Sequence, residues 1–395
     1  MKSVYIVTPQ LFDGGTASVS SNYYKMFKNL GYNVGFYLLD DLPVSDNFNI
    51  PRSSINFLGL LSSNSSNGTF WSLKGFFNFF RKLKNATNVL SKLEGDIVFV
   101  HFTPILLGMI ANLFFKRKFK FIYTVHTNIY SYGKQLGFLK SKVFNFFVYG
   151  LRFADELIFL TKDVSDEYML RLNGYDCSVS FIPNVYDPFN KDLVSIDSLE
   201  SFRINSGLGH SSFVLYSGRL SYEKNIDFII RFYKIYRDNG GVKQLLIAGD
   251  GPEKSSLIRL VDDLGISKNV IFLGHVSNMQ FVYAISDTLI LASNHEGFGM
   301  VLLEAIDFHL NLLSSNCPSG PSTIFDQSFD IPLNSYFKND LGFLLPTPTD
   351  NLTDYSDALL LLDKSVKLSP EVSSSILRAF SINTISFHWY KIFCK

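Results

Sequence analysis

Cysteine is scarce in this chain, with three in 395 residues, at positions 177, 317 and 394. An odd, scattered set without metal-ligand spacing argues against a disulfide framework and fits a reducing cytosol. Charge is also thin, at 18% of residues against 47% hydrophobic, which excludes a disordered chain. Thirty-six basic residues balance 35 acidic ones, so the molecule as a whole is not a polycation built for nucleic acid. Long apolar runs are lacking too. The stretch nearest to a membrane span, Ile97 to Phe115, is interrupted by His101, Thr103-Pro104 and Asn112. It reads instead as a buried strand, Ile97–Phe102, followed by a buried helix with Pro104 in its first turn. The apolar run after Met1-Lys2 ends at Pro9, too short for the core of a signal peptide. No tandem repeat is visible, which removes solenoids and propellers.

What is present is alternation. In the first half, strands are expected at Val4–Thr8, Val34–Leu39, Ile97–Phe102, Phe121–His126, Glu156–Leu160 and Ser178–Ile182. A loop, Phe12-Asp13-Gly14-Gly15, leads into a helix from about Thr16 to Leu30, and the polar Ser62–Thr69 reads as a surface loop. Between Pro188 and Ser212 periodicity is weak and the composition is that of a linker. Five more strands follow at Phe213–Ser217, Gln244–Ala248, Val270–Leu273, Thr288–Ala292 and Asn311–Ser314, each separated by helical pattern. Such spacing means βαβ units and parallel sheets. The fold class is α/β, in two domains over 1–190 and 205–375, with two helical stretches closing the chain from Ser369 onward.

Four motifs carry chemistry. The sharpest is EGFGMVLLEA, Glu296 to Ala305, with two carboxylates, Glu296 and Glu304, eight positions apart. Gly297 and Gly299 permit close backbone approach on either side of Phe298, and the amides of Gly299, Met300 and Val301 form a helix N-terminus suited to an anion. A carboxylate facing hydroxyls beside a helix end facing phosphate is what a nucleotide-sugar requires; a strand–loop–helix junction with a chance acidic pair has the same spelling. The second is SGRLSYEKN, in which a strand delivers Gly218 and Arg219, with Lys224 at a helix start. A forked guanidinium and a point charge together match a diphosphate, and equally a solvated Arg-Glu-Lys face. AGDGPEKSSL, Ala248 to Leu257, is a Gly-rich turn common to doubly wound domains, and Gly274-His275-Val276 ends a strand where main-chain groups could read a base edge.

In order and spacing these motifs resemble the retaining glycosyltransferases of the GT-B fold, family four. The match runs through GRLSYEKN, AGDGPE, FLGHV and EGFGMVLLEA, and the first half agrees in layout through Gly14-Gly15, the TVH ending at His126 and the PNVYD exit. The resemblance implies two Rossmann-like domains facing across a cleft, with a C-terminal helix over about 378–395 crossing back to the first. By resemblance, Arg219 and Lys224 clamp the diphosphate, Glu296 contacts the sugar hydroxyls, and Glu304 holds the ribose. Gly14 and Gly15 match the loop near the donor phosphates and acceptor, and His126 matches the residue lining the sugar subsite; His275 and Val276 are counted with the donor-binding residues. In CPSGPSTI, Cys317 to Ile324, this chain has Thr323 where the family commonly has Glu. The resemblance implies no metal and no cofactor, the leaving charge being met by Arg219, Lys224 and the helix end.

Charge is unevenly placed. Phe70 to Arg152 holds 13 basic and two acidic residues, a net of +11, against −10 for the remainder (23 basic, 33 acidic). Aromatics interleave with the lysines, so this face is expected to meet an anionic membrane surface, or else to be ordinary helices with Phe inward and Lys outward. The expectation is a cytoplasmic, peripherally membrane-associated enzyme moving a sugar from a UDP-linked donor to a lipid-linked surface glycan, with no nucleic-acid partner. The rivals are a UDP-sugar epimerase of the same fold and a non-catalytic nucleotide-sugar or glycan-binding module.

Overall fold

The computed structural model describes residues 2–11, 15–40, 43–45, 48, 50–61, 73–100, 119–126, 150–171, 178–326 and 335–394. The chain divides into two compact units, Met1–Asp187 with Phe380–Lys395, and Pro188–Ala379. The loop at 62–69, the helix expected after Pro104, Gly14, Cys177 and most of the basic segment lie outside the described residues.

The first unit is a seven-stranded parallel sheet. Its strands are β1 (Ser3–Thr8), β2 (Asn33–Asp40), β3 (Ile55–Leu61), β4 (Gly95–Val100), β5 (Phe119–Val125), β6 (Glu156–Phe159) and β7 (Ser178–Phe181). They are ordered β3-β2-β1-β4-β5-β6-β7. A parallel sheet is covered on both faces, which is why IVFV and FIYTV are continuous apolar runs rather than alternating ones. The expected strands are found within a residue or two, but β3 was not expected. It sits at the sheet edge with a register shift against β2, and Gly59 takes φ 60°, so it lacks clean alternation. The C-terminal helix Ile382–Cys394 belongs to this unit. Its fully buried Trp389 lies edge-on to Tyr23 and Phe27 of the helix Gly15–Asn29, with centroids 5.2 and 5.0 Å away.

The second unit repeats the plan with β8 (Phe213–Ser217), β9 (Gln244–Ala248), β10 (Val270–Gly274), β11 (Ser286–Leu291), β12 (Asn311–Ser315), β13 (Phe337–Asn339) and β14 (Gly342–Leu345), ordered β10-β9-β8-β11-β12-β14-β13. The short β13 is antiparallel to β14, and this terminal pair was likewise unexpected. The 188–212 stretch is more than a linker. Ile196–Asn205 is a helix opened by a capping box in which the Ser195 and Ser198 side chains each serve the other's backbone. It leaves Ile196 and Ile204 largely exposed and buries none of its residues, which explains the missing periodicity.

Among the described residues no helix is long and apolar enough to cross a membrane.

Candidate active site

In an open α/β sheet, ligands bind beyond the carboxyl ends of the strands where the strand order reverses. In the second unit that point lies between β8 and β11, neighbours in the sheet though far apart in sequence. The loop after β8 is SGRLSYEKN, and the loop after β11 is SNHEGFG. Topology thus brings the two sharpest motifs to one crevice.

Main-chain contacts lock the neighbouring loops together. The amide of Gly218 donates to Ala248 O (3.0 Å), that of Gly249 to Gly274 O (2.8 Å), and that of Leu220 to Asp250 O (3.0 Å). Gly249 has φ +146°, and a Cβ there would stand 1.8 Å from Gly218 O. No side chain fits, so the glycine is required by the loop-on-loop contact. On the other side, Asn294 N donates to Glu223 O (2.9 Å) and Glu296 N to Pro318 O (3.2 Å). At Gly320, φ is +124° and a Cβ would lie 1.9 Å from Phe298 O, so the CPSGP loop rests directly on the EGFG loop.

The clamp lysine and the sugar-side glutamate, assigned separate ligands from the sequence, meet each other. Lys224 Nζ is 2.7 Å from Glu296 Oε1, the same oxygen that accepts from Ser293 Oγ at 2.6 Å. Glu296 is 7% exposed. Burial alone would depress the Lys224 ammonium; the charge and hydrogen bond of Glu296 outweigh it and raise its pKa. Lys224 does not open a helix, as the sequence suggests, but ends a single 3-10 turn, Tyr222–Lys224, followed by left-handed Asn225 and the helix Ile226–Asp238. Arg219 is exposed, and its carbonyl is held from beneath by the hydroxyl of buried Tyr216 at 3.0 Å.

Glu304 lies on the helix Met300–Asp307, capped by Gly299, and takes a hydrogen bond from Tyr283 OH to Oε2 at 2.6 Å. Burial raises its pKa and the Tyr283 bond pulls the other way. Gly297 is half-buried and Phe298 and Gly299 are buried, while Met300 and Val301, half-buried, form the helix start. His275 and Val276 follow β10 directly, His275 exposed. In the first unit Gly15 is the exposed first residue of its helix, and His126 is the first residue beyond β5.

Three participants escape sequence reading. Ser293, three residues before Glu296, is legible only in hindsight. Tyr283 is 21 positions from Glu304 in a separate short helix, Met279–Ala284, and no local spacing points to it. His295 is buried beside the pair, and burial lowers its pKa. Cys317 is buried and its thiol is pushed up by that burial, as expected of a packing residue rather than a nucleophile.

Two Rossmann-like units of this construction define the GT-B fold, and comparison with known proteins agrees. A TarM variant of S. aureus, in complex with fondaparinux, alpha-GlcNAc-glycerol and UDP, superposes with TM-score 0.74 over all of both chains at 14% identity. The family model "Glycosyltransferase Family 4" matches residues 14–188, and "Glycosyl transferases group 1" matches residues 200–365. The chain belongs to this glycosyltransferase family. It is similar to the amylovoran biosynthesis glycosyltransferase AmsD of Erwinia amylovora, 25% identical over 88% of this chain and 94% of that one. It is also similar to alpha-monoglucosyldiacylglycerol synthase of Acholeplasma laidlawii, 26% identical over 72% of each.

Proposed function

We propose that the protein is a retaining glycosyltransferase that moves a hexose or N-acetylhexosamine from a UDP-linked donor to a lipid-linked surface glycan. The observation that carries this reading is the paired Lys224 and Glu296 at the sheet's switch point, with Glu304 one helix turn inside the same motif. The relatives named for amylovoran biosynthesis and for glucosyldiacylglycerol synthesis support polysaccharide and lipid acceptors. Arg219 and Lys224 meet the diphosphate as the sugar leaves. Glu296, one oxygen held by Lys224 and Ser293, offers the other to a sugar hydroxyl. Glu304 takes the ribose and the main chain at His275 and Val276 takes the base, while His126 and the Gly14-Gly15 loop keep the sugar and phosphate roles that the resemblance gives them.

The test is a screen of nucleotide-sugars against lipid-linked acceptors, with the anomeric configuration of the product read by NMR. The product should keep the donor's configuration, and transfer should persist in EDTA. Nucleotide release without any acceptor would indicate the epimerase instead; binding without turnover would indicate a non-catalytic module.

The roles given to Glu304 and Tyr283 predict a pH dependence. An ionised carboxylate accepts from ribose hydroxyls more strongly than a neutral carboxyl does, and burial makes Glu304 protonate at higher pH than an ordinary glutamate. UDP affinity should therefore fall as pH drops through that raised value. Tyr283→Phe removes the bond that favours ionisation, so the fall should begin at still higher pH. Calorimetric titration of UDP across the acid range checks both, and superimposable curves for wild type and variant would remove Tyr283 from the site.

For the basic segment we propose contact with anionic lipid. The described part of the helix Leu73–Leu90 buries Leu83, Ala86 and Leu90 and exposes Arg81 and Lys84. Each exposed cation near such a surface contributes about 1 kcal/mol, screened as the Debye length falls from ~10 Å at 0.1 M salt to ~3 Å at 1 M. Co-sedimentation with phosphatidylglycerol vesicles should be strong at low salt and lost at high salt. Equal binding to neutral vesicles would return the lysines to an ordinary solvated face.

A further inference from the structure

We infer that Phe189, anchored at Asp307, is a positioning residue for the donor nucleotide, and that UDP binding and the anchoring of the chain at 188–191 strengthen each other. The second unit begins at Pro188, and from there to Leu193 only Phe189 is not exposed. This entering segment is fixed at Asp307, the last residue of the helix Met300–Asp307. The Phe189 amide donates to Asp307 Oδ2 at 3.1 Å. Lys191 Nζ stands 2.8 Å from Asp307 Oδ1 and donates to the Asp307 carbonyl at 2.6 Å. Asp307 is 4% exposed, and a carboxylate there faces the negative end of its own helix. The donors from 189 and 191 offset both penalties.

The Phe189 ring extends that anchor to the candidate site. Its centre lies 6.0 Å from Tyr283 and 5.7 Å from Phe308, whose rings stack on each other at 5.8 Å. Tyr283 is fully buried, and its hydroxyl donates to Glu304 Oε2. Glu304 and Asp307 are three residues apart on one helix, so they are neighbours along its surface. Phe189 therefore reaches Glu304 by two routes, through the Tyr283 ring and through the helix. Loss of the Phe189 ring opens space beside Tyr283, and the phenol that holds Glu304 gains freedom. Half-buried and flanked by exposed residues, the anchor opens more readily than the strands of the sheet. UDP that needs Glu304 in place binds the anchored state better, and by reciprocity it opposes opening by the same factor. That step rests on the assignment of Glu304 to the ribose; the anchor itself does not.

Amide hydrogen exchange of the whole protein, read by NMR with and without saturating UDP, tests this. UDP should slow the Phe189 amide about tenfold and leave that of Leu341, bonded to Asn339 Oδ1 in the β13–β14 turn, unchanged. Phe189→Ala should weaken UDP binding by a similar factor. Lys191→Met removes two contacts to Asp307 from an exposed position, and should speed Phe189 exchange and weaken UDP binding together. A Phe189 amide indifferent to UDP, or slowed no more than that of Leu341, overturns the inference even if Phe189→Ala does not fold. Full UDP affinity in both variants, with Glu304→Gln weakened, overturns the positioning role and leaves the ribose reading standing. Slowed Phe189 exchange with full UDP affinity in Glu304→Gln defeats the ribose reading and leaves the coupling standing.

Discussion

Glu296→Gln should bind UDP at least as well as the wild type and transfer sugar roughly 10²–10³-fold more slowly, as expected when a charge-assisted contact to the reacting sugar is lost. The sign of the affinity change comes from the pairing. In the free protein Lys224 is neutralised by Glu296 at 2.7 Å, and a diphosphate must compete for it. An amide in place of the carboxylate keeps the shape, can still accept from Ser293, and releases the ammonium to the phosphates. Glu304→Gln, by contrast, should weaken UDP binding. Titration of UDP beside single-turnover transfer separates the two. Equal loss of UDP binding in both variants would refute this division of roles.

The second large effect is at the clamp. Arg219→Ala and Lys224→Ala should each slow transfer by about 2–4 kcal/mol of barrier, because in the proposed role each removes a cation that meets the departing diphosphate. Their stabilities should differ. An exposed cation matters little to folding, and only one of the two is exposed. Arg219 is exposed, whereas the Lys224 and Glu296 side chains are only 22% and 8% accessible. Removing one partner of a largely buried pair strands the other charge, at a cost on the order of 3 kcal/mol. Lys224→Ala should melt several degrees lower, Arg219→Ala should not, and adding Glu296→Gln to Lys224→Ala should recover much of the loss. A double variant no more stable than Lys224→Ala alone would refute the buried pair.

How much of this was legible in the sequence follows from what each feature depends on. The strands of both sheets were readable because parallel strands covered on both faces are runs of Val, Ile, Leu and Phe. Those that escaped have weaker signals: β3 carries a register shift and a left-handed Gly59, and β13 and β14 span only Phe337–Asn339 and Gly342–Leu345. Glu296 and Lys224 were legible as residues, but their contact spans 72 positions and exists only because β8 and β11 are neighbours in the sheet. Tyr283 and Glu304 meet because the helices before and after β11 pack side by side, which spacing alone does not show. Motif spelling locates chemical groups; the topology of crossovers decides which of them share a proton or a charge.

The discontinuity of the first unit bears on how such enzymes can diversify. Tyr23 and Phe27 are covered by Trp389, and that helix is translated only after the whole second unit. A fragment ending at Asp187 would display this aromatic cluster to solvent and aggregate. By the same reasoning, a single recombination junction between two relatives would pair one parent's helix with the other's aromatic seat. Exchange of the second unit as an intact cassette requires two junctions, one near Asp187 and one near Ala379, and libraries of chimaeras built that way should yield folded proteins where single-junction libraries fail.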